Sequence, residues 1–142
     1  IVGSGSDHDI TKLKSLAKIL NIEEKIIWHG WQKLPWVYIK NNIKNVTSLV
    51  LTSNYEGFPM VLCEALSYGI YSISSNCKTG PEDIIMNKVN GQLYQQNNID
   101  ELANILQSLI NKNILPENKE IKNSINSFYD EIYIKNVISI LK

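Results

Sequence analysis

The chain has 142 residues, 44% of them hydrophobic, with 14 basic and 14 acidic side chains and so no net charge. That length fits one domain with a single sizeable core rather than two, and the hydrophobic content excludes a disordered chain. All of the basic residues are lysines scattered among asparagine and isoleucine, which excludes a basic nucleic-acid stripe and an anionic-membrane patch.

In chain order, the first feature is "IVGSG", the end of a strand running into a turn. It starts at Ile1 without an initiator methionine, so the expectation is a piece excised from a longer polypeptide. The "GSG" at Gly3 to Gly5 invites a dinucleotide-fingerprint reading, but the third glycine of that pattern would fall on His8, and the fingerprint fails. A tight turn remains, one that can still line a crevice at the carboxyl edge of a parallel sheet. Next, "ITKLKSLAKILNI" sets Ile10, Leu13, Leu16, Ala17 and Leu20 at helical spacing, with Asp9 placed as the N-cap. "KIIWHG" reads as a short buried strand ending at Gly30, and "LPWVYIKNN" as a helix starting at Pro35.

"VTSLVLTS" is apolar and β-branched without alternation, as a parallel strand covered on both faces would be. It is followed by a "PMVLCEALSYG" helix, an "IYSISS" strand, the polar loop "NCKTGPED", a short helical turn and the strand-like "VNGQLY". "IDELANILQSLINK" is a helix capped by Asn98 or a neighbour, and helical stretches near 117–126 and 128–141 close the chain. Strands alternating with helices predict an α/β layer fold with a parallel sheet.

Chemistry concentrates at "YEGFPMVLCEALSYG", residues 55 to 69, where Glu56 and Glu64 are separated by seven residues. The strand delivers the chain to the carboxyl edge of the sheet, "NYEGF" turns, and Pro59 occupies the first position of a helix. The N–H groups of Met60, Val61 and Leu62 would then point out of the helix end beside its positive pole, a place that binds phosphate without a basic side chain. Glu64 lies about 6 Å along the axis from Met60 at roughly 1.5 Å per residue. One carboxylate therefore flanks each side of the phosphate position, suited to gripping hydroxyl groups. A solvated helix face is the bland alternative for Glu64, but its apolar neighbours argue that it has a partner.

These residues, with "SSNCKTGPEDII" and "NGQLY", resemble the donor-binding half of retaining GT-B glycosyltransferases of family 4, whose hallmark is a glutamate, seven residues and a second glutamate. The wording is nearest to bacterial lipopolysaccharide and capsule hexosyltransferases, the lipopolysaccharide 1,6-galactosyltransferases among them. The resemblance implies a Rossmann-like parallel sheet flanked by helices, with residues 1–142 forming the nucleotide-sugar-binding C-terminal domain. The first strand and helix of that domain and the whole N-terminal domain would be missing. It implies transfer of a hexose from a nucleotide sugar, expected to be UDP-linked, to a lipopolysaccharide, capsule or other glycan acceptor met through the N-terminal domain.

Residue by residue, the resemblance implies that Glu56 is the catalytic contact to the donor hexose. Gly57 and Phe58 present amides to the sugar, Met60 and Val61 amides to the diphosphate, and Glu64 holds the ribose. Trp31 or Gln32 of "HGWQKLP" falls where the family holds the nucleobase, although a tryptophan after a strand is as often core. The nucleotide sugar is a co-substrate, so no cofactor and no metal is expected. Ile70 and Tyr71 replace the usual Pro-Val, and Asp83 follows Glu82 after the glycine-proline turn. Proline at 59 removes one N–H, and the basic pair that neutralises the leaving diphosphate in the family lies upstream of Ile1. The fragment alone is therefore expected to transfer nothing.

The rest is bland. Cys63 and Cys77 form no CxxC pair and read as reduced thiols, and His8 and His29 read as structural. With neither a membrane-spanning run nor a signal-peptide pattern, the expected location is cytoplasmic, at most peripheral to the inner face of the membrane. A non-catalytic α/β binding or interaction module of the same shape remains the alternative, and another GT-B enzyme such as a phosphorylase or epimerase a weaker one.

Overall fold

The structure, a computed structural model, describes residues 1–112, 115–129, 131 and 139. The chain divides into two compact units, Ile1–Asn45 and Val46–Lys142. The first holds helix α1 (Asp7–Ile19), a 3-10 turn (Glu23–Lys25) and helix α2 (Pro35–Asn42). α2 starts at Pro35 as expected, because its fixed φ suits the first turn and its missing N–H is not needed there.

α1 starts earlier than its apolar spacing suggests, and its cap is Ser6 rather than Asp9. The Asp9 N–H donates to Ser6 Oγ at 3.1 Å, while Ser6 Oγ donates to Asp9 Oδ2 at 2.6 Å. This reciprocal pair places Asp9 in the first turn, where its charge also suits the helix dipole. Of the predicted apolar face only Ala17 is buried, and Leu13, Leu16 and Leu20 are exposed. The expected "KIIWHG" strand is reduced to one parallel bridge, Val2 with Gly30. Gly3 N–H donates to the Gly30 carbonyl and His29 N–H to that of Ile1, each at 2.8 Å. Pairing ends there because Gly3 and Gly30 both turn into positive φ, +131° and +66°.

The second unit is a parallel three-stranded sheet in the order β1 (Ser48–Leu51), β2 (Tyr71–Ser75), β3 (Gly91–Tyr94). Register pairs Ser48 with Tyr71 and Leu51 with Ser74, then Ser72 with Gly91 and Ser75 with Tyr94. The connections carry α3 (Met60–Ser67) and the short α4 (Pro81–Ile84), and α5 (Ile99–Lys112) and α6 (Asn118–Asn123) follow. The helical stretch expected near 117–126 is α6. That expected over 128–141 lies almost wholly outside the described residues. Full burial falls on the central strand β2, every residue of which is buried, and not on β1, an edge strand of this sheet whose Val50 is exposed.

Leu62 and Leu66 of α3, Ile73 of β2, Ile84 of α4 and Ile121 of α6 form the core, with Leu102, Ile105 and Leu109 of α5 packed against it. α3 stops because Gly69 takes φ +76°. Gly69 and Ile70 N–H groups then donate back to Leu66 and Ala65 carbonyls at 2.9 and 3.0 Å, satisfying the last turn. α5 is capped by Asn98 as expected, its Oδ1 accepting from Glu101 N–H at 3.1 Å. Because all three strands run the same way, the segments that follow Leu51, Ser75 and Tyr94 gather at one edge of the sheet.

Candidate functional site

At that carboxyl edge the segment 52–59 leaves β1 and enters α3 without regular structure of its own. Glu56 is half-buried in it, Tyr55 and Phe58 are exposed, and Pro59 is buried at the mouth of the helix. Proline is the N-cap here, one position before the helical start expected for it, and α3 begins at Met60. No side chain caps this helix end.

The three amides expected to point outward do not behave alike. Met60 N–H donates to the Phe58 carbonyl and Leu62 N–H to the Pro59 carbonyl, each at 2.9 Å. A proline one step outside the helix lets the chain turn tightly, and that turn consumes these two donors. Val61 N–H has no acceptor among the described residues, so it is a donor left at the positive end of the helix. Glu64 lies one turn on from Met60, and both residues are exposed, whereas Leu62, Ala65 and Leu66 turn into the core. Glu56 and Glu64 thus belong to the same loop-helix unit, one before the helix end and one on its outer face.

Three side chains from the neighbouring strand ends grip this loop by its carbonyls. Ser75 Oγ, at the end of β2, donates to the Ser53 carbonyl. Gln96 Nε2, just past β3, donates to the Asn54 carbonyl at 2.7 Å and approaches Asn54 Oδ1 at 3.2 Å. Thr79 Oγ1 lies 2.7 Å from the Glu56 carbonyl and also 2.7 Å from that of Lys78. Thr79 has φ +62°, a conformation that costs a β-branched residue on the order of 1–3 kcal/mol. Gly80 follows at φ +93°, packed against Gly57 and Pro59. The Phe58 ring meets that of Phe128, centroids 5.8 Å apart. Sequence reasoning missed Ser75, Thr79 and Gln96, and only the strand order could have pointed to them.

Burial raises the Cys63 thiol above its ordinary range; a backbone hydrogen bond opposes this and the neighbouring Glu64 charge adds to it. Burial likewise raises the Tyr71 and Tyr94 phenols, the latter also touching Ser75.

In the first unit, Trp31 is 68% exposed, so it is not core. Gln32 is half-buried and its Nε2 donates to the His29 carbonyl at 2.9 Å. His29 Nδ1 lies 3.0 Å from the Tyr38 hydroxyl. The glycine turn lines a cavity of about 440 Å³ with Ile10, Leu13 and Trp28. Among the described residues no group of three metal-ligating side chains could hold an ion, and no helix is long and apolar enough to cross a membrane.

The family model for glycosyl transferases group 1 matches residues 1–126. The chain belongs to the group 1 glycosyl transferases. It is 45% identical over 136 residues to the lipopolysaccharide 1,6-galactosyltransferase of Salmonella typhimurium, a match covering 96% of this chain and 37% of that protein. Among solved structures it resembles the apo form of the lipopolysaccharide outer core galactosyltransferase WaaB. That likeness has a TM-score of 0.93 at 43% identity and covers 99% of this chain and 39% of that one. It is also similar to S. aureus TarM, solved with fondaparinux, α-GlcNAc-glycerol and UDP, with a TM-score of 0.77 at 27% identity and covering 98% of this chain and 28% of that one. The chain thus spans little more than a third of the galactosyltransferases that it matches. Its Rossmann-like sheet is that of GT-B glycosyltransferases, and the family is one of enzymes.

Proposed function

We propose that this group 1 glycosyl transferase chain is the donor-binding half of a retaining galactosyltransferase that uses a UDP-linked sugar and acts on a lipopolysaccharide or related glycan. The observation that carries the reading is the uncapped start of α3, with the Val61 N–H lacking an acceptor among the described residues and Glu56 and Glu64 before and after it in the chain. The 45% identity to a lipopolysaccharide 1,6-galactosyltransferase supports the choice of sugar and acceptor, and the UDP held in the TarM structure supports the nucleotide.

In this reading the diphosphate rests on Val61 N–H at the positive helix end, with Met60 contributing only if the Phe58 carbonyl releases it. Glu64 accepts the ribose hydroxyls, and Gly57 and Phe58 amides face the hexose. As the bond from the anomeric carbon to the diphosphate breaks, negative charge grows on the leaving oxygen and positive charge on the sugar ring. The helix end stabilises the first, and the Glu56 carboxylate orients the ring and stabilises the second. A preorganised donor of this kind is worth about 10² to 10³ in rate. The nucleotide sugar is a co-substrate and the reading uses no resident cofactor. The acceptor is met by residues beyond this chain, with the whole enzyme working in the cytoplasm at the inner face of the membrane.

Calorimetric titration of this chain with UDP, UDP-galactose and GDP tests the reading. Binding of UDP that is weakened in Glu64→Ala is expected, and equal affinity in the variant and the wild type would overturn it.

A further inference from the structure

The loop that bears Glu56 is not held by its own secondary structure. Its position comes from the Ser53, Asn54 and Glu56 carbonyls, which accept side-chain donors from the last residue of β2, from just past β3 and from the turn after β2. Resting on the donor-site reading above, we propose that Thr79 and Gln96 are positioning residues. Without touching the donor, they set where the Glu56 carboxylate stands by fixing the backbone that carries it.

Thr79 argues this most directly. A β-branched residue at φ +62° is in a conformation that glycine adopts freely, so the turn keeps a disfavoured residue where a relaxed one would fit. What threonine supplies and glycine does not is the hydroxyl. That hydroxyl has one hydrogen for two carbonyls at 2.7 Å. The Lys78 contact stays within the turn, whereas the Glu56 contact ties the turn to a loop 23 residues away.

Gln96 holds the other end of the loop. Its amide bonds the Asn54 carbonyl across 42 residues of sequence, and Asn97 beside it also has a positive φ, at +65°. Beyond the Thr79 grip, on the α3 side, Gly80 packs so closely on Gly57 and Pro59 that the loops have little room to slide. An acid held this way faces the sugar without reorganising as charge develops, and a misplacement of about 1 Å can cost on the order of 10² in rate.

The test uses Thr79→Gly, Thr79→Ser and Gln96→Glu in the full polypeptide that contains this chain, measuring thermal midpoint, UDP affinity and transfer from UDP-galactose. Thr79→Gly relaxes the backbone, so its midpoint should equal or exceed that of the wild type, and UDP affinity should stay within about twofold because Val61 and Glu64 sit on α3. Its kcat should fall about ten- to a hundredfold. Thr79→Ser, which restores the hydroxyl, should recover kcat to within about threefold. Gln96→Glu sets an acceptor against the Asn54 carbonyl and should lower kcat with UDP binding retained.

Wild-type kcat in Thr79→Gly, no rescue by serine, or a joint fall in midpoint, UDP affinity and kcat would each overturn the proposal. A wild type that binds no UDP sinks the donor reading and this proposal together. Wild-type UDP binding with full activity in Thr79→Gly sinks only the proposal.

Discussion

A Cβ placed on Gly80 would lie 2.6 Å from the Gly57 carbonyl oxygen and 2.6 Å from Pro59 Cδ. Two segments that approach through backbone in this way leave no side chain able to move aside. Gly80 also needs φ +93°, so Gly80→Ala is penalised twice. The φ penalty alone is on the order of 1–3 kcal/mol. We expect a lower thermal midpoint and displacement of the Glu56 loop. An unchanged midpoint in a melting experiment would show that the two segments separate easily.

Glu56 and Glu64 are expected to separate binding from chemistry. Glu64→Ala removes acceptors for two hydroxyl hydrogens and should weaken UDP binding about ten- to a hundredfold. Glu56→Gln keeps the shape and removes the charge. It should leave UDP affinity within about twofold while lowering transfer about 10² or more. Calorimetry and a transfer assay on the full polypeptide distinguish the two, and a Glu56→Gln variant with normal turnover would remove Glu56 from the chemistry.

Buried Asn90 should be costly to replace. Its Oδ1 accepts from Met86 N–H at 2.7 Å, and its Nδ2 donates to the Ile84 carbonyl at 3.0 Å and to Ser124 Oγ at 2.9 Å. Asn90→Leu leaves the buried Ile84 carbonyl and the part-buried bonds to Met86 N–H and Ser124 without their partner, at a cost of about 3 kcal/mol. A shift in the urea midpoint without a change in slope is the expected result.

Stability should fall on the alkaline side. Burial raises the Cys63, Tyr71 and Tyr94 acids in the folded chain, so the folded state holds these protons more tightly than the unfolded one. Their contribution is whole below the ordinary thiol and phenol values and is lost as pH climbs through those values toward the raised ones. Tyr71 also donates its hydroxyl hydrogen to the Gly91 carbonyl at 2.9 Å, a bond that ionisation would abolish. Urea midpoints from neutral to strongly alkaline pH should drop, and drop less steeply in Tyr71→Phe.

The amino-acid sequence alone determined what depends on neighbours a few residues apart. Proline at 35 starts α2, Asn98 caps α5, and glutamates eight positions apart span the start of α3. The physical reason is that caps, turns and helical faces are short-range effects. Tertiary structure decided the rest. β2 instead of β1 is the strand buried throughout, because it lies between the other two in the sheet. The grip of Thr79 and Gln96 on the glutamate loop depends on parallel strands setting their ends side by side. A hydroxyl or amide in a polar turn looks the same in sequence whichever distant carbonyl it meets, and only strand order supplies the carbonyl.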